Sequence, residues 1–348
     1  MGLRIDVLTV SGSPQGVVET DVYGDNDDQI GMGGAELSFF TMARAWTELG
    51  HRVRFYNNPR KFGASCFEQL NEEDFDPKED RDILIFFRGP NSKGIDAKGK
   101  KIWFSCDQAT VGSYKSLAAE VDKVVTISPF HAEYFKNQYG IENTITIDLP
   151  VRHYDYDNVD YVKDPMKILY CSVPERGLEA LVPIWERITE AIPEAELHIT
   201  SDHRLWDRRY PANISANYRL MYAKFPNVTY HSAIKRRELV KLQLESSIHL
   251  YPLTYPELFC IANAECQYAG AYPITSNGWA LASTNMGYLS PHHPTTRAGQ
   301  VDLAITTLSY LRNPETLKPL QKYVHDMARR RFSIDNIVGQ WDRMVFNG

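Results

Sequence analysis

Short β-rich runs alternate with helix-length stretches along nearly the whole chain, and they do so in two series. The first holds LRIDVLTV (3–10), a strand at 53–56, RDILIFFR (81–88), KKIWFSCD (100–107), VDKVVTIS (121–128) and NTITIDLP (143–150). The second holds MKILYCS, AELHITS, NVTYHSA, IHLYPL and YPITS, interleaved with the helical LEALVPIWERITEAI and KRRELVKLQLESS. Strands that alternate with helices predict doubly wound α/β domains with parallel sheets. At 348 residues the chain is too long for one ordinary core and fits two domains. Residues 152–165 (RHYDYDNVDYVKDP) lack an apolar period and read as the linker. The expected architecture is therefore two Rossmann-like domains, 1–160 and 161–334, facing across a cleft. Residues 317–346 read as one or two terminal helices.

Composition narrows the partners. A net charge of −6 gives no global support for nucleic acid or an anionic membrane. The five cysteines, Cys66, Cys106, Cys171, Cys260 and Cys266, are scattered without a CxxC pair. That argues against a disulfide framework and a structural zinc site, and favours a reducing compartment. The N-terminus reads as a first strand and not a signal peptide, and no apolar run approaches the about 18 residues of a membrane span. A cytoplasmic protein is expected.

Ligands of open α/β sheets bind where glycine loops and helix N-termini meet the carboxyl ends of strands. The polar, glycine-containing segment 11–32 reads as a long loop of the functional kind. GMGGAE follows it and leads into a helix with apolar Leu37, Phe40, Ala43, Trp46 and Leu49 at intervals of three. Gly33 and Gly34 would let a phosphate or sugar approach the backbone. Arg176 precedes Gly177 and a helix, where a cation opposes the helix dipole unless it meets an anion. Glu257 and Glu265 stand eight positions apart in YPELFCIANAECQYAG. With a helix starting near Leu258, Glu257 lies at its mouth and Glu265 two turns on, on nearly the same face. By spacing alone they read as a helix-dipole partner and a solvated glutamate. PHHP (291–294) reads as a loop, since adjacent histidines point apart. The basic runs DHRLWDRRYP (202–211) and KRRE (235–238) read as solvated helix faces.

The order of these segments resembles retaining nucleotide-sugar glycosyltransferases of the family-4 type, with the GT-B fold. The resemblance runs through GGAE (33–36), VVTISPFHAEYFKNQYGI (124–141), CSVPERGLEALVPIWERITEAIPEAELHI (171–199), the E-x7-E segment with AGAYPITSNGWAL (269–281), and ARRRFSIDNIVGQWDRM (328–344). It implies that Gly33 and Gly34 line the donor diphosphate and sugar, and that Arg176 stabilises the departing diphosphate. It implies that Glu257 faces the sugar and that the amides of Leu258, Phe259 and Cys260 hold sugar hydroxyls and phosphate. It assigns Glu265 to the nucleotide ribose, whose vicinal hydroxyls a carboxylate can accept. Asp107 is the candidate for a polar sugar or acceptor contact.

The chain departs from the family at Cys171, where an arginine is usual five residues before the basic residue, and at Leu258 and Cys260, where Gly-Phe-Gly is usual. The implied function is transfer of a hexosyl or pentosyl group from a UDP- or GDP-sugar to an unidentified hydroxyl acceptor. No metal or other cofactor is expected. The acceptor stays open among a glycan, a small molecule and modified DNA. The alternatives are a phage-type glycosyltransferase acting on hydroxymethylated DNA bases and an inactive sugar-binding partner subunit. Relatives also imply that the C-terminal helix, 335–348, crosses back to the first domain.

Overall fold

The computed structural model describes residues 2–348 except 11–15, 24–30, 62–64, 206–209 and 212. The chain forms two compact units, one of Met1–Val22, Gly34–Pro150 and Ser333–Gly348, the other of Tyr23–Gly33 and Val151–Phe332. Unit limits thus fall after Pro150 and Phe332, where the sequence reading put boundaries at 160/161 and 334/335. Most of the loop expected over 11–32 lies outside the described residues; within it, Glu19–Tyr23 forms a 3-10 turn.

The first unit carries strands β1 (Arg4–Thr9), β2 (Arg52–Tyr56), β3 (Glu68–Leu70), β4 (Ile83–Phe87), β5 (Lys100–Phe104), β6 (Lys123–Thr126) and β7 (Thr144–Thr146). Its helices are α1 (Gly34–Glu48), α2 (Tyr114–Glu120) and α3 (Pro129–Tyr139). The strands form one parallel sheet in the order β3-β2-β1-β4-β5-β6-β7, with Val7 beside Ile85 across the centre. All five residues of β4 are buried, as expected of a parallel strand covered on both faces.

The second unit carries β8 (Asp164–Cys171), β9 (Glu196–Thr200), β10 (Val228–Tyr230), β11 (Ser246–Tyr251), β12 (Tyr272–Ser276) and β13 (Tyr288–Ser290). Its helices are α4 (Leu178–Ala191), α5 (Ala216–Tyr222), α6 (Arg236–Glu245), α7 (Ile261–Tyr268), α8 (Leu281–Thr284), α9 (Arg297–Arg312) and α10 (Pro314–Arg331). The strands are again all parallel, ordered β10-β9-β8-β11-β12-β13. Each unit thus has the Rossmann order, and in each the order reverses beside its first strand.

Helix α11 (Ile334–Gln340) and a wide π turn (Trp341–Phe346) belong to the first unit. There Trp341 packs edge-on against Trp46 and Phe104, with centroids 5.3 and 5.2 Å apart. Residues 152–165 are not a free linker. Arg152 is fully buried, and Tyr156 is buried with its hydroxyl donating to Gln243 at 2.7 Å. Strands β3 (EQL) and β13 (YLS) were not predicted: each pairs only three residues, and neither has the β-branched residues that mark the equally short β7 and β10.

A buried charge cluster fixes the amino end of the first sheet. Asp6, fully buried on β1, accepts a two-pronged bond from Arg54 of β2 (2.7 and 2.6 Å) and one from Arg81 (2.7 Å). Near the other end, Ser128 caps α3 by accepting from the His131 amide, Pro129 opens the helix, and left-handed Gly140 closes it. The His131 ring is itself fully buried; its Nδ1 accepts from the Ile127 amide at 3.3 Å, and burial lowers its pKa to about 3.

The unfolded chain therefore binds more protons than the folded one between that value and the free-histidine pKa of about 6.5. Stability is full above this window and falls through it by about 1.4 kcal/mol per pH unit. Urea unfolding at pH 7 and pH 5 should show a loss about 2 kcal/mol larger in wild type than in His131→Gln. Equal losses would mean that this ring does not set the acid sensitivity.

Candidate functional site

At the carboxyl end of the second sheet, the loops leaving β8 and β11 diverge around the point where strand order reverses, the position at which open α/β sheets bind ligands. The β8 loop makes a single 3-10 turn, Pro174–Arg176, and passes through Gly177 into α4. A Cβ on Gly177 would stand 2.5 Å from the Pro252 carbonyl, so only glycine lets the two loops approach this closely. The β11 loop carries Glu257.

Arg176 Nη1 donates to Glu257 Oε1 at 2.5 Å, and the Tyr251 hydroxyl donates to the same oxygen at 3.0 Å. The Arg176 guanidinium also lies 4.8 Å over the Tyr255 ring. Burial opposes the Arg176 charge, but Glu257 outweighs it and holds the guanidinium protonated. Burial, and then the Glu257 charge, push the Tyr251 hydroxyl well up, so it remains a neutral donor. Glu257 is 5% exposed and the Arg176 side chain 21%. Two residues singled out separately in the sequence thus form one charge pair.

The helix expected from Leu258 starts three residues later, at Ile261. Glu257 therefore lies in the loop and not at a helix mouth, and the same-face relation to Glu265 does not hold. The delay has a local cause. Cys260 stands at φ 68°, ψ 74°, a left-handed backbone that cannot continue an α-helix. Glycine is free there and a cysteine is strained, so the loop keeps a glycine-type turn without glycine. Leu258, Phe259 and Cys260 are all buried, and the Phe259 ring packs edge-on against Phe332 at 5.6 Å. Burial and then Glu257 raise the Cys260 thiol well above its ordinary pKa, so it is no thiolate at neutral pH.

Glu265 is not a solvated helix residue but 3% exposed. Its Oε1 lies 2.7 Å from Arg236 Nη2, and its Oε2 accepts from Gln243 at 3.1 Å. Arg236 in turn donates to Asp155 at 2.8 Å, and Asp155 accepts from Arg152 at 3.2 Å. The KRRE run therefore holds a buried cation where a solvated face was expected. A buried carboxylate demanded it, and charge-run counting cannot see a partner distant in sequence.

In the first unit, Asp107 follows β5 and accepts a fork from Arg88, both bonds 2.7 Å. Arg88 also donates to Glu36 at 2.6 Å. Glu36 is the acidic residue of GGAE, buried in the first turn of α1, and Arg88 is the residue after β4, at this sheet's own reversal point. Arg88 adopts φ 74°, held by its amide on the Phe104 carbonyl and its carbonyl on the Trp103 indole N–H. Such strained residues gather at functional sites. The sequence reading missed Arg88 and Glu36; the available signal was an arginine ending the apolar run ILIFF just before Gly-Pro.

Gly34 opens α1, and neither Gly33 nor Gly34 takes a left-handed backbone. Among the described residues of 202–211, His203 is buried and bonded to Glu175, while 206–209 lie outside them. His292 and His293 are exposed, and His293 bonds Thr295 at 2.7 Å just before α9. No helix of the described residues is long and apolar enough to cross a membrane.

No protein-family model matches the sequence, and no curated protein matches it. Solved structures do match the whole fold. A glycosyltransferase from Rickettsia africae superimposes with a TM-score of 0.72 at 15% identity, over 100% of this chain and 98% of that one. HepE from Anabaena, solved with UDP and glucose, gives 0.69 at 12%, over 99% and 100%. Sucrose-phosphate synthase from Thermosynechococcus elongatus gives 0.69 at 15%, over 99% of each chain. The fold is the GT-B α/β architecture of these glycosyltransferases.

The frame at Cys260 is open to test by urea unfolding. Cys260→Gly relieves a left-handed strain of about 1–2 kcal/mol, but loses a buried thiol and adds freedom to the unfolded chain, so stability should change by less than about 1 kcal/mol. Cys260→Val puts a β-branched residue at that φ and should cost about 2 kcal/mol or more. If valine is tolerated as well as glycine, the turn is not held left-handed.

Proposed function

We propose that the chain is a retaining glycosyltransferase that moves a sugar from a nucleotide-sugar donor, UDP- or GDP-linked, to a hydroxyl acceptor. The observation that carries the reading is the Arg176–Glu257 pair, set on the two loops that diverge at the reversal point of the second sheet. UDP in the HepE structure, on a fold of the same class, supports a uridine donor.

In this reading the pair exchanges partners when the donor arrives. The diphosphate takes the Arg176 guanidinium, whose fork suits phosphate oxygens. Glu257 is released toward the sugar hydroxyls and stays oriented by Tyr251. As the bond from the anomeric carbon to the diphosphate oxygen breaks, negative charge grows on the phosphate beside a fixed cation, which lowers the barrier. The acceptor oxygen bonds the anomeric carbon on the same face, and its proton passes to the leaving phosphate. Such a step needs no dedicated base and no metal. The amides of 258–260 hold hydroxyl and phosphate oxygens.

Glu265 serves the ribose in this scheme. Gln243 donates to Oε2 and Arg236 pairs by charge with Oε1, which leaves acceptor capacity for hydroxyls. At 3% exposure it meets a ribose only where the packing above it opens. Asp107, each of whose carboxylate oxygens accepts from Arg88, contributes on the acceptor side as part of the Arg88 cluster.

Donor hydrolysis screened over UDP-, GDP- and ADP-sugars, with EDTA present, should find turnover that falls about 10²–10³-fold in Arg176→Ala and in Glu257→Gln. Calorimetry should separate the two residues. Nucleoside diphosphate binding weakens in Arg176→Ala and does not weaken in Glu257→Gln, where the competing carboxylate is gone. Absence of both turnover and binding with every nucleotide sugar overturns the transferase reading.

A further inference from the structure

Cys171, His249 and Cys266 are far apart in sequence and meet in the second unit. Cys171 ends β8, His249 lies on the neighbouring β11, and Cys266 projects from α7. The strand register places His249 beside Leu169, two residues before Cys171, so Leu169 and Cys171 share the sheet face toward this corner. Cys171 Sγ is 3.5 Å from Cys266 Sγ and 3.8 Å from His249 Nε2, and one donor atom from each residue lies within 4.8 Å of the others. All three are buried, Cys266 and His249 completely. The surrounding wall is apolar, made by Leu169 and Ala271 with Leu239, Leu242 and Ala262.

The separations fit a shared metal ion and do not fit a disulfide. A tetrahedral zinc with Zn–S of about 2.3 Å and Zn–N of about 2.0–2.1 Å sets its sulfurs about 3.7 Å apart and sulfur and nitrogen about 3.5 Å apart. A disulfide needs sulfurs at about 2.05 Å. A thiol is a poor hydrogen-bond partner, so without an ion a wholly buried imidazole nitrogen would rest on one weak contact.

The ring is also set for ligation. Asn263 Oδ1 accepts from His249 Nδ1 at 3.1 Å, which leaves the Nε2 lone pair toward the sulfurs. An outer partner of this kind orients nearly every metal-binding histidine. Thiolate and imidazole together select thiophilic ions. Two thiolates with a neutral imidazole cancel the charge of a divalent ion, which is what a dry apolar corner requires.

We propose that Cys171, His249 and Cys266 form a buried site for a thiophilic d10 cation, with Zn2+ the ion whose charge the two thiolates balance and Cu+ the other ion of that chemistry. The site staples the ends of β8 and α7 to the middle of β11, beneath the loops that carry Arg176 and Glu257. It does not depend on the transferase reading. Because the ligands are buried, the ion is taken up during folding and held until unfolding.

The test uses the full chain, refolded under reducing conditions with Zn2+, with Cu+, or with Co2+ as a coloured stand-in. The expected result is one ion per chain by mass spectrometry of the metal, retained through EDTA dialysis in the native state and released in denaturant. With Co2+, an intense sulfur-to-cobalt band should appear. It should weaken about twofold in Cys171→Ser and in Cys266→Ser, and persist in Cys66→Ser, which alters an exposed cysteine outside the cluster. Added Zn2+ should raise the melting temperature of Cys171→Ser and of Cys266→Ser less than it raises that of wild type and of Cys66→Ser. Wild-type chain that binds neither Zn2+ nor Cu+ stoichiometrically overturns the proposal whatever the variants do, as does a cobalt band unchanged in both cluster variants.

Discussion

A parallel sheet sends every strand's loop out at the same edge, and where the strand order reverses two neighbouring loops must part in opposite directions. Both units are governed by that constraint. In the second, the parting loops are those after β8 and β11, and they bring Arg176 onto Glu257. In the first, the strands are β1 and β4, and Arg88 at the end of β4 is met by Glu36 from the helix after β1. Each sheet thus places an arginine with a carboxylate at its reversal point. A buried guanidinium without a counter-charge is costly, and the carboxylates that meet these two arginines come from distant parts of the chain.

Much of the fold was legible, and for a physical reason. Strands buried on both faces must be apolar throughout, so ILIFF and its equivalents stand out against polar loops. Caps wrote the limits of α3 in plain chemistry: serine, proline, then glycine. What failed was what three residues or a distant partner decide. Strands β3 and β13 are short and lack the β-branched residues that mark the equally short β7 and β10. The start of α7 was misplaced because a cysteine holds a conformation that sequence rules reserve for glycine.

The site divides the same way. Arg176 and Glu257 each carried a local signal, a cation opposing a helix dipole and an acid in an uncharged segment. Their pairing carried none, since 81 residues separate them. Arg236 shows the limit most clearly. KRRE looks like a solvated face, yet one of its arginines is buried between Asp155 and Glu265. Whether a basic residue faces water is decided by what the fold puts opposite it. The Cys171–His249–Cys266 corner belongs here too, since metal ligands contributed by two strands and a helix leave no spacing to read.

Cys171 alters the electrostatics that the proposed reaction must use. An arginine in its place would bring a second cation to the end of β8, into a corner walled by Leu169 and Ala271. With cysteine there, Arg176 is the cation that the β8 loop supplies, and Glu257 already balances it. In the proposed reaction a diphosphate arriving at this loop also meets the backbone. Helix α4 begins directly after Gly177, and its fourteen residues aim the positive end of their summed dipole at the same loop. A dipole end of about half a charge cannot replace a guanidinium. It does favour a reaction in which Arg176 changes partner, because the carboxylate it leaves need travel only as far as the sugar that the same diphosphate brings.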